Sequence, residues 1–365
     1  MVLNSLSLLH FKNFDARFFE FEPKINCFVG QNGIGKTNVL DAIYHLSYTK
    51  GYFNSVGTQC IQHDNDYFLI EGNYEREEKS VVVSVGLKKG HKKVVKKNGK
   101  EYEKLSDHFG FLPAVIISPS DTDLIKEGSD LRRKFIDGII AMNDNDFLND
   151  LLSYNQTLAQ RNALLKFFAA NRTFDKTNLD IYNQQLADFG TKIYAKRKAF
   201  VDQFIEVFQK RYKQILGISS EKNSEEINLK YDSQLHEQDL SSILIQNESK
   251  DKLLQYTSSG IHRDDIVFLL AGFPIKKFGS QGQQKSLLIA LKLAQFDFLK
   301  EKTKITPIML LDDIFDKLDD NRVSQLIELV NDHNFGQIFI TDTHASRTEE
   351  IVKKVNQQYK MFELG

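Results

Sequence analysis

The chain has few cysteines, no stretch that reads as a membrane span and almost no net charge. Its two cysteines, Cys27 and Cys60, are too few for a disulfide framework and stand in no metal-ligand spacing, which fits a reduced cytosol. No apolar run approaches bilayer length. The N-terminus alternates polar and apolar residues, meets Lys12, Asp15 and Arg17 early, and has no signal-peptide profile. A soluble, cytoplasmic protein with no membrane contact is expected. No internal repeat or low-complexity tract is present, and no heptad pattern is long enough for an extended coiled coil. The formal net charge is -1. The molecule as a whole is therefore no general polyanion binder, and any contact with DNA or RNA must come from a local patch.

What the chain does have is length and a core. Its 365 residues suit two domains, and 41% are hydrophobic, including 28 Phe and 13 Tyr. Val2 to Phe21 alternates like an edge hairpin. Ile25 to Val29 (INCFV) reads as a buried strand, followed by a Gly-rich loop and a helix from Lys36 to Tyr48. Strand-like runs occupy Tyr67 to Lys97. Asn98-Gly99 marks a hairpin there, because both residues tolerate positive φ. Ala114 to Ile117 is a further strand. From Ser129 to Ile215 the apolar period becomes helical, with Leu131, Phe135, Ile136, Ile139 and Ile140 on one face. Strand patterns return at Ile227 to Tyr231, Ile266 to Leu270, Ile308 to Leu311 and Gln337 to Thr341. The expectation is an α/β domain interrupted by a helical one.

Three segments carry chemistry. Gly30, Gln31, Asn32, Gly33, Ile34, Gly35, Lys36 and Thr37 spell GQNGIGKT, a complete phosphate-binding loop set between a strand and a helix that continues with Asn38. Its glycines let backbone N–H groups turn toward phosphate oxygens, and the helix adds its positive end. Lys36 would reach the β- and γ-phosphates of ATP, and the Thr37 hydroxyl would ligate Mg²⁺. The second segment is MLLDD, Met309 to Asp313, an apolar strand ending in carboxylates. There Asp312 would hold Mg²⁺ through water, and Asp313 would orient or deprotonate an attacking water. Lys36, Asp312 and Asp313 are thus the catalytic candidates. The third is SQGQQK, Ser280 to Lys285, opening a helix. Ser280, Gly282 and Gln283 can offer a hydroxyl and amides to an anion, and Ser280 is equally a good helix cap.

Lysines are densest around Asn98-Gly99. Lys92, Lys93, Lys96, Lys97 and Lys100 can follow the phosphates of DNA, or can guard a sheet edge against aggregation; the sequence supports both readings equally. Lys192, Lys196, Arg197 and Lys198 are a weaker candidate. No aromatic interleaving suggests stacking on single-stranded bases, so contact with a duplex or junction backbone is the better fit.

Taken together, these segments resemble the RecF family, ABC-type ATPases related to SMC heads. The resemblance runs through LSLLHFKNF (Leu6 to Phe14), the phosphate loop, VIISPSD (Val115 to Asp121), LRRKFID (Leu131 to Asp137) and QRNALLK (Gln160 to Lys166). It continues through SSGIHRDD (Ser258 to Asp265), SQGQQK and LLDDIFDKLDDNR (Leu310 to Arg322). The chain departs from the family pattern at Gly51-Tyr52-Phe53, at Ser120 where Glu is usual, and at Ile261 where Pro is usual. A switch histidine directly after the last strand is also missing, since His344 comes late.

The resemblance implies an ABC-type P-loop ATPase head, with a lobe I of mixed sheet around the P-loop helix in 1–118 and 255–365 and an inserted, mainly helical lobe II in 119–254. It implies weak ATPase activity and an ATP-driven head-to-tail homodimer in which Ser280, Gly282 and Gln283 close the partner's site. Asp316 to Asp319 would form the D-loop along the seam. DNA would be held at gaps or junctions in recombinational repair and replication maintenance, with RecR and RecO as partners in placing RecA. Such a protein would associate with the nucleoid. The rival readings are the ATPase subunit of an ABC transporter, an SMC-like structural ATPase and a small-molecule kinase.

Overall fold

A computed structural model describes residues 1–54, 56–217, 226–314, 335–355 and 357–365. Along the chain the described elements are β1 (Val2–Phe11), β2 (Phe14–Glu20), β3 (Ile25–Val29), α1 (Lys36–Tyr48), β4 (Tyr67–Arg76), β5 (Lys79–Lys88), β6 (Val94–Lys97), β7 (Lys100–Glu101) and β8 (Ala114–Ile117). They continue with α2 (Asp123–Lys126), α3 (Ser129–Ala141), α4 (Asn145–Asn171), α5 (Lys176–Ile215), β9 (Ile227–Asp232), α6 (Leu240–Gln246), α7 (Glu248–Leu254), β10 (Asp265–Leu270) and β11 (Phe273–Pro274). The last are α8 (Ile275–Phe278), α9 (Gln281–Thr303), β12 (Ile308–Leu311), β13 (Ile338–Asp342), α10 (Ala345–Lys354) and β14 (Tyr359–Glu363). They fall into two compact units. The first comprises Met1–Thr122, Arg211–Glu221 and Lys285–Gly365, and the second Asp123–Lys210 and Lys222–Gln284.

The first unit holds two sheets around one helix. Unbroken apolar runs such as INCFV in β3 and IMLL in β12 suit strands covered on both faces, the usual condition of a parallel sheet. Every residue of β3, β8, β12 and β13 is buried. With β14 these strands pair in parallel, in the order β14-β3-β13-β12-β8. β4 alternates instead, burying Phe68, Ile70 and Tyr74 on one face. It lies inside an antiparallel sheet ordered β2-β1-β4-β5-β6-β7. The mixed sheet expected around the P-loop helix is thus two sheets, one of each kind. Of the opening hairpin only β2 is an edge, because β1 also pairs with β4. The Asn98-Gly99 turn has the expected left-handed residues, at φ 50° and 78°.

α1 packs against β4 and β5 of one sheet and against β8 and β13 of the other. A helix enclosed in this way buries polar residues too, and they need partners. Asp41 pairs with Lys12 at 2.6 Å and accepts the Tyr52 N–H at 2.6 Å. Ser47 donates to the Leu112 carbonyl at 2.5 Å. His45 has no hydrogen-bond partner on either ring nitrogen among the described residues. Burial, then the charges of Lys93 and Lys12, push its pKa down to about 3, so it is a neutral ring set edge-on to Phe11 and Phe68. Gln337 joins the two sheets. Its amide donates to the carbonyls of Leu3 at 2.8 Å and Glu22 at 2.9 Å, and its oxygen accepts the Leu3 N–H at 2.7 Å.

The second unit extends past the 119–254 stretch expected for the helical lobe and ends at Gln284. The reason is pairing. β10 runs antiparallel to β9 from Asp265↔Asp232 to Leu270↔Ile227, and β11 adds a third strand, so these strands form a sheet of their own. Apolar alternation announces a strand but not the sheet it joins.

Two buried arginines organise this unit. Arg161 on α4 donates to Asn183, Asp251 and Thr257, each at 2.8 Å, and both Arg161 and Asp251 are fully buried. Arg197 on α5 forms a two-point pair with Asp137 at 2.8 Å and reaches Asp264 at 3.3 Å, and Asp264 also accepts the Tyr231 hydroxyl at 2.5 Å. The QRNALLK and HRDD segments therefore supply buried polar structure to this unit. Breaking one partner of a buried ion pair leaves the other charge uncompensated. Arg161→Ala is expected to lower the unfolding free energy by about 3–5 kcal/mol in urea denaturation followed by circular dichroism. A loss below about 1 kcal/mol would contradict this role for Arg161.

Candidate nucleotide-binding site

The phosphate loop leaves β3 at Val29 and enters α1 at Lys36. Its three glycines hold positive φ: 149° at Gly30, 85° at Gly33 and 111° at Gly35. Two of them also lie against other backbone or side chains. A Cβ on Gly30 would come within 2.6 Å of the Leu364 carbonyl, and one on Gly35 within 2.5 Å of Asn13. Asn13, in the turn between β1 and β2, clamps the loop by donating to the Ile34 carbonyl at 2.8 Å and accepting from Asn38 at 2.7 Å. The Asn38 side chain thus serves the clamp. Gln31, Asn32 and Gly33 are exposed at the tip. Lys36 is buried and folds back to donate to the carbonyls of Gly30 at 2.7 Å and Gln31 at 2.9 Å.

Sheet order brings the acids to this loop. β13 lies between β3, which carries the loop, and β12, which ends at Leu311 before Asp312. Asp312 Oδ1 accepts the Thr37 hydroxyl at 2.8 Å. It also accepts the Thr341 hydroxyl from the end of β13 at 2.8 Å. Burial lifts the Asp312 carboxyl above its ordinary pKa, while the two hydroxyls pull it back. Asp313 sits in left-handed backbone at φ 43°, and its N–H donates to Thr341 Oγ1 at 2.9 Å. Thr341 is the site residue that sequence reasoning missed. A polar residue at the C-terminal end of a parallel strand was the available signal.

These donors suit Mg²⁺. Thr37 gives its proton to Asp312 and so turns oxygen lone pairs to the outside, and both groups are hard oxygen ligands. No cluster of three or more metal-ligating side chains occurs among the described residues. A cation here must complete its shell with phosphate oxygens and water, as Mg²⁺ ordinarily does.

Ser280 to Gln284 end the second unit, and Lys285 opens the last stretch of the first. Ser280 and Gln283 cap α9 reciprocally: the Ser280 N–H donates to Gln283 Oε1 at 2.7 Å, and the Gln283 N–H donates to Ser280 Oγ at 3.2 Å. Ser280 is exposed. Asp316 to Asp319 lie outside the described residues. After β13, buried Asp342 accepts from Thr348 at 2.6 Å and Arg347 at 2.5 Å, fastening the start of α10, and His344 is the residue before that helix.

The basic hairpin divides. Lys92, Lys96 and Lys100 are exposed beside the β7 edge. Lys93 is half-buried and donates to the Thr49 carbonyl, and burial lowers its pKa. Lys97 lies 4.0 Å over the Phe111 ring. Of the other basic group, Lys196 pairs with Asp144 at 2.7 Å and Arg197 is buried.

A family described as the RecF/RecN/SMC N terminal domain matches residues 2–364. The DNA replication and repair protein RecF of Flavobacterium johnsoniae is 55% identical over 364 residues, covering 100% of both chains. That of Phocaeicola vulgatus is 45% identical over 364 residues, covering 99% of this chain and 96% of its own. Among solved structures, the recombination mediator protein RecF-ATPrS in the RecFOR pathway matches with a TM-score of 0.88 at 29% identity, covering 100% of this chain and 96% of that one. The Smc head domain of Pyrococcus furiosus matches at TM-score 0.54 and 16% identity, covering 100% and 94%, a likeness of fold alone. The fold is that of an ABC-type ATPase head.

The glycine geometry makes a paired prediction. Gly35→Ala combines strained φ with a 2.5 Å clash against the Asn13 clamp, whereas a Cβ at Gly33 meets nothing within 4 Å. In calorimetric titration with ATP, Gly35→Ala should weaken binding by about tenfold or more, and Gly33→Ala, which carries only the left-handed strain, by less than about tenfold. Equal effects would contradict the clamp.

Proposed function

The chain belongs to the RecF family, and from that premise we propose that it is an ATP-dependent, DNA-binding ATPase of recombinational repair and replication maintenance. The observation that carries the nucleotide reading is the meeting of Thr37 with Asp312 beside a complete phosphate loop. Lys36 places a point charge on the β- and γ-phosphates, and its present carbonyl partners give way to phosphate oxygens. Thr37 and Asp312 hold Mg²⁺, which when bound neutralises charge gathering on the phosphate oxygens. Asp313 orients the attacking water or takes its proton. A relative at 29% identity has been solved with ATP, which supports the choice of nucleotide.

In this reading the site is completed by a second copy. Ser280, Gly282 and Gln283 present a capped helix N-terminus, which suits the phosphates of ATP held on another subunit. ATP thus joins two chains head to tail, and slow hydrolysis releases them. DNA is held by backbone contacts, with Lys92, Lys96 and Lys100 as the exposed members of the basic hairpin and Lys93 and Lys97 as supports beneath it. RecR and RecO are the partners in placing RecA. The relative described as a recombination mediator of the RecFOR pathway supports this assignment. The transporter reading finds no support in the family.

The trans role is tested by light scattering with and without ATP. The chain should be a monomer without nucleotide and a dimer with ATP, and Ser280→Arg should remain monomeric in both. Normal ATP-dependent dimerisation of the variant would remove Ser280 from the partner's site.

A further inference from the structure

Thr341 takes no part in the function proposed above, yet its side chain touches both acids of the site. It is fully buried on the strand between the phosphate-loop strand and the acid-bearing strand. Its neighbours along β13, Phe339 and Ile340, are apolar core residues. A valine would fill nearly the same space, so packing alone gives no reason for a hydroxyl. Both of the hydroxyl's hydrogen bonds leave its own strand. Its single proton goes to Asp312 Oδ1 at 2.8 Å, and its oxygen accepts the Asp313 N–H at 2.9 Å.

The two bonds do different things. The first fixes which way the Asp312 carboxylate faces. Oδ1 takes the Thr37 hydroxyl from one side and the Thr341 hydroxyl from the other, so the group cannot turn about its side-chain torsion without breaking both. The second holds backbone. Asp313 stands at φ 43°, in the left-handed region that is less favourable for an L residue than the right-handed one, though Asp tolerates it better than most. The Thr341 oxygen is the acceptor that holds the Asp313 N–H in that geometry.

We infer that Thr341 is a positioning residue for ATP hydrolysis, one hydroxyl setting both the carboxylate that holds the metal and the backbone of the residue that handles water. This rests on the assignment of Asp312 and Asp313 given above. Thr341 touches neither phosphate nor metal in this role. It acts by denying the two acids alternative orientations, and small displacements of such groups have large effects on chemistry.

The test compares Thr341→Val, Thr341→Ala and Thr341→Ser. Val keeps the volume without the hydroxyl, Ala loses both, and Ser keeps the hydroxyl. Four quantities are measured: Mn²⁺ affinity by electron paramagnetic resonance in the presence of a slowly hydrolysed ATP analogue, kcat and KM for ATP hydrolysis, and the melting temperature. Val and Ala should each weaken Mn²⁺ binding and lower kcat by about 10–100-fold, the range seen when groups that orient metal ligands are removed. KM for ATP should stay within about threefold, and Ser should stay within about threefold of the parent in Mn²⁺ affinity, kcat and KM, with the melting temperature of the parent. Should Val fail to fold, Ala against Ser decides the matter. The inference is overturned if Val or Ala binds Mn²⁺ and turns over ATP like the parent, or if Ser loses as much as they do. If the parent itself shows no Mn²⁺ binding with the analogue, the metal assignment fails, and the role of Thr341 fails with it.

Discussion

The nucleotide site depends on a small joint: two threonine hydroxyls meeting one oxygen of Asp312. Strand order explains why it is needed. The phosphate loop hangs from β3 and the acids from β12, with β13 between them. Neighbouring strands lie about 4.8 Å apart, so the two halves of the site start about 10 Å from each other. Side chains must meet over the end of the middle strand. Thr37 reaches across from one side and Asp312 from the other, and Thr341 fills the gap from below with a group that can both donate and accept. An apolar residue there would leave the acids to find their own positions.

The same arrangement shows what local sequence can and cannot report. GQNGIGKT is a contiguous solution to a local problem, a tight turn of backbone amides before a helix, and it is legible at once. INCFV and IMLL are legible as buried parallel strands for a similar reason. Thr341 is not, because its meaning lies in residues 28 and 29 positions away that only sheet order brings close. Arg161 and Arg197 are harder still. Their partners Asp251 and Asp264 lie 90 and 67 positions away, so residues that look like surface charges on helices are the polar core of the second unit. The partner of β10 is hidden for the same reason, since its pairing with β9 is a long-range choice. The lysine hairpin is half legible. Its position at a sheet edge follows from Asn98-Gly99, but the inward turn of Lys93 and Lys97 depends on Thr49 and Phe111.

Ser280 and Gln283 are satisfied by one another as a helix cap. A cap of this kind costs the chain nothing in the absence of nucleotide, and it leaves the hydroxyl exposed at the positive end of a 23-residue helix. Stability and a trans role therefore do not compete for these residues. The phosphate loop and this helix start belong to different compact units of the chain.

That assembly is the central claim, and the chain is well suited to a direct test because both native cysteines are buried. Asn32 at the loop tip and Gln281 at the start of α9 are exposed. One preparation carries Asn32→Cys, a second of different tag length carries Gln281→Cys, and the two are mixed with a short bismaleimide. The shared site predicts a covalent dimer of one long and one short chain that forms with ATP and not without nucleotide. Absence of that mixed product, together with crosslinking inside a single chain that carries both cysteines, would show a site closed within one copy and would contradict the account.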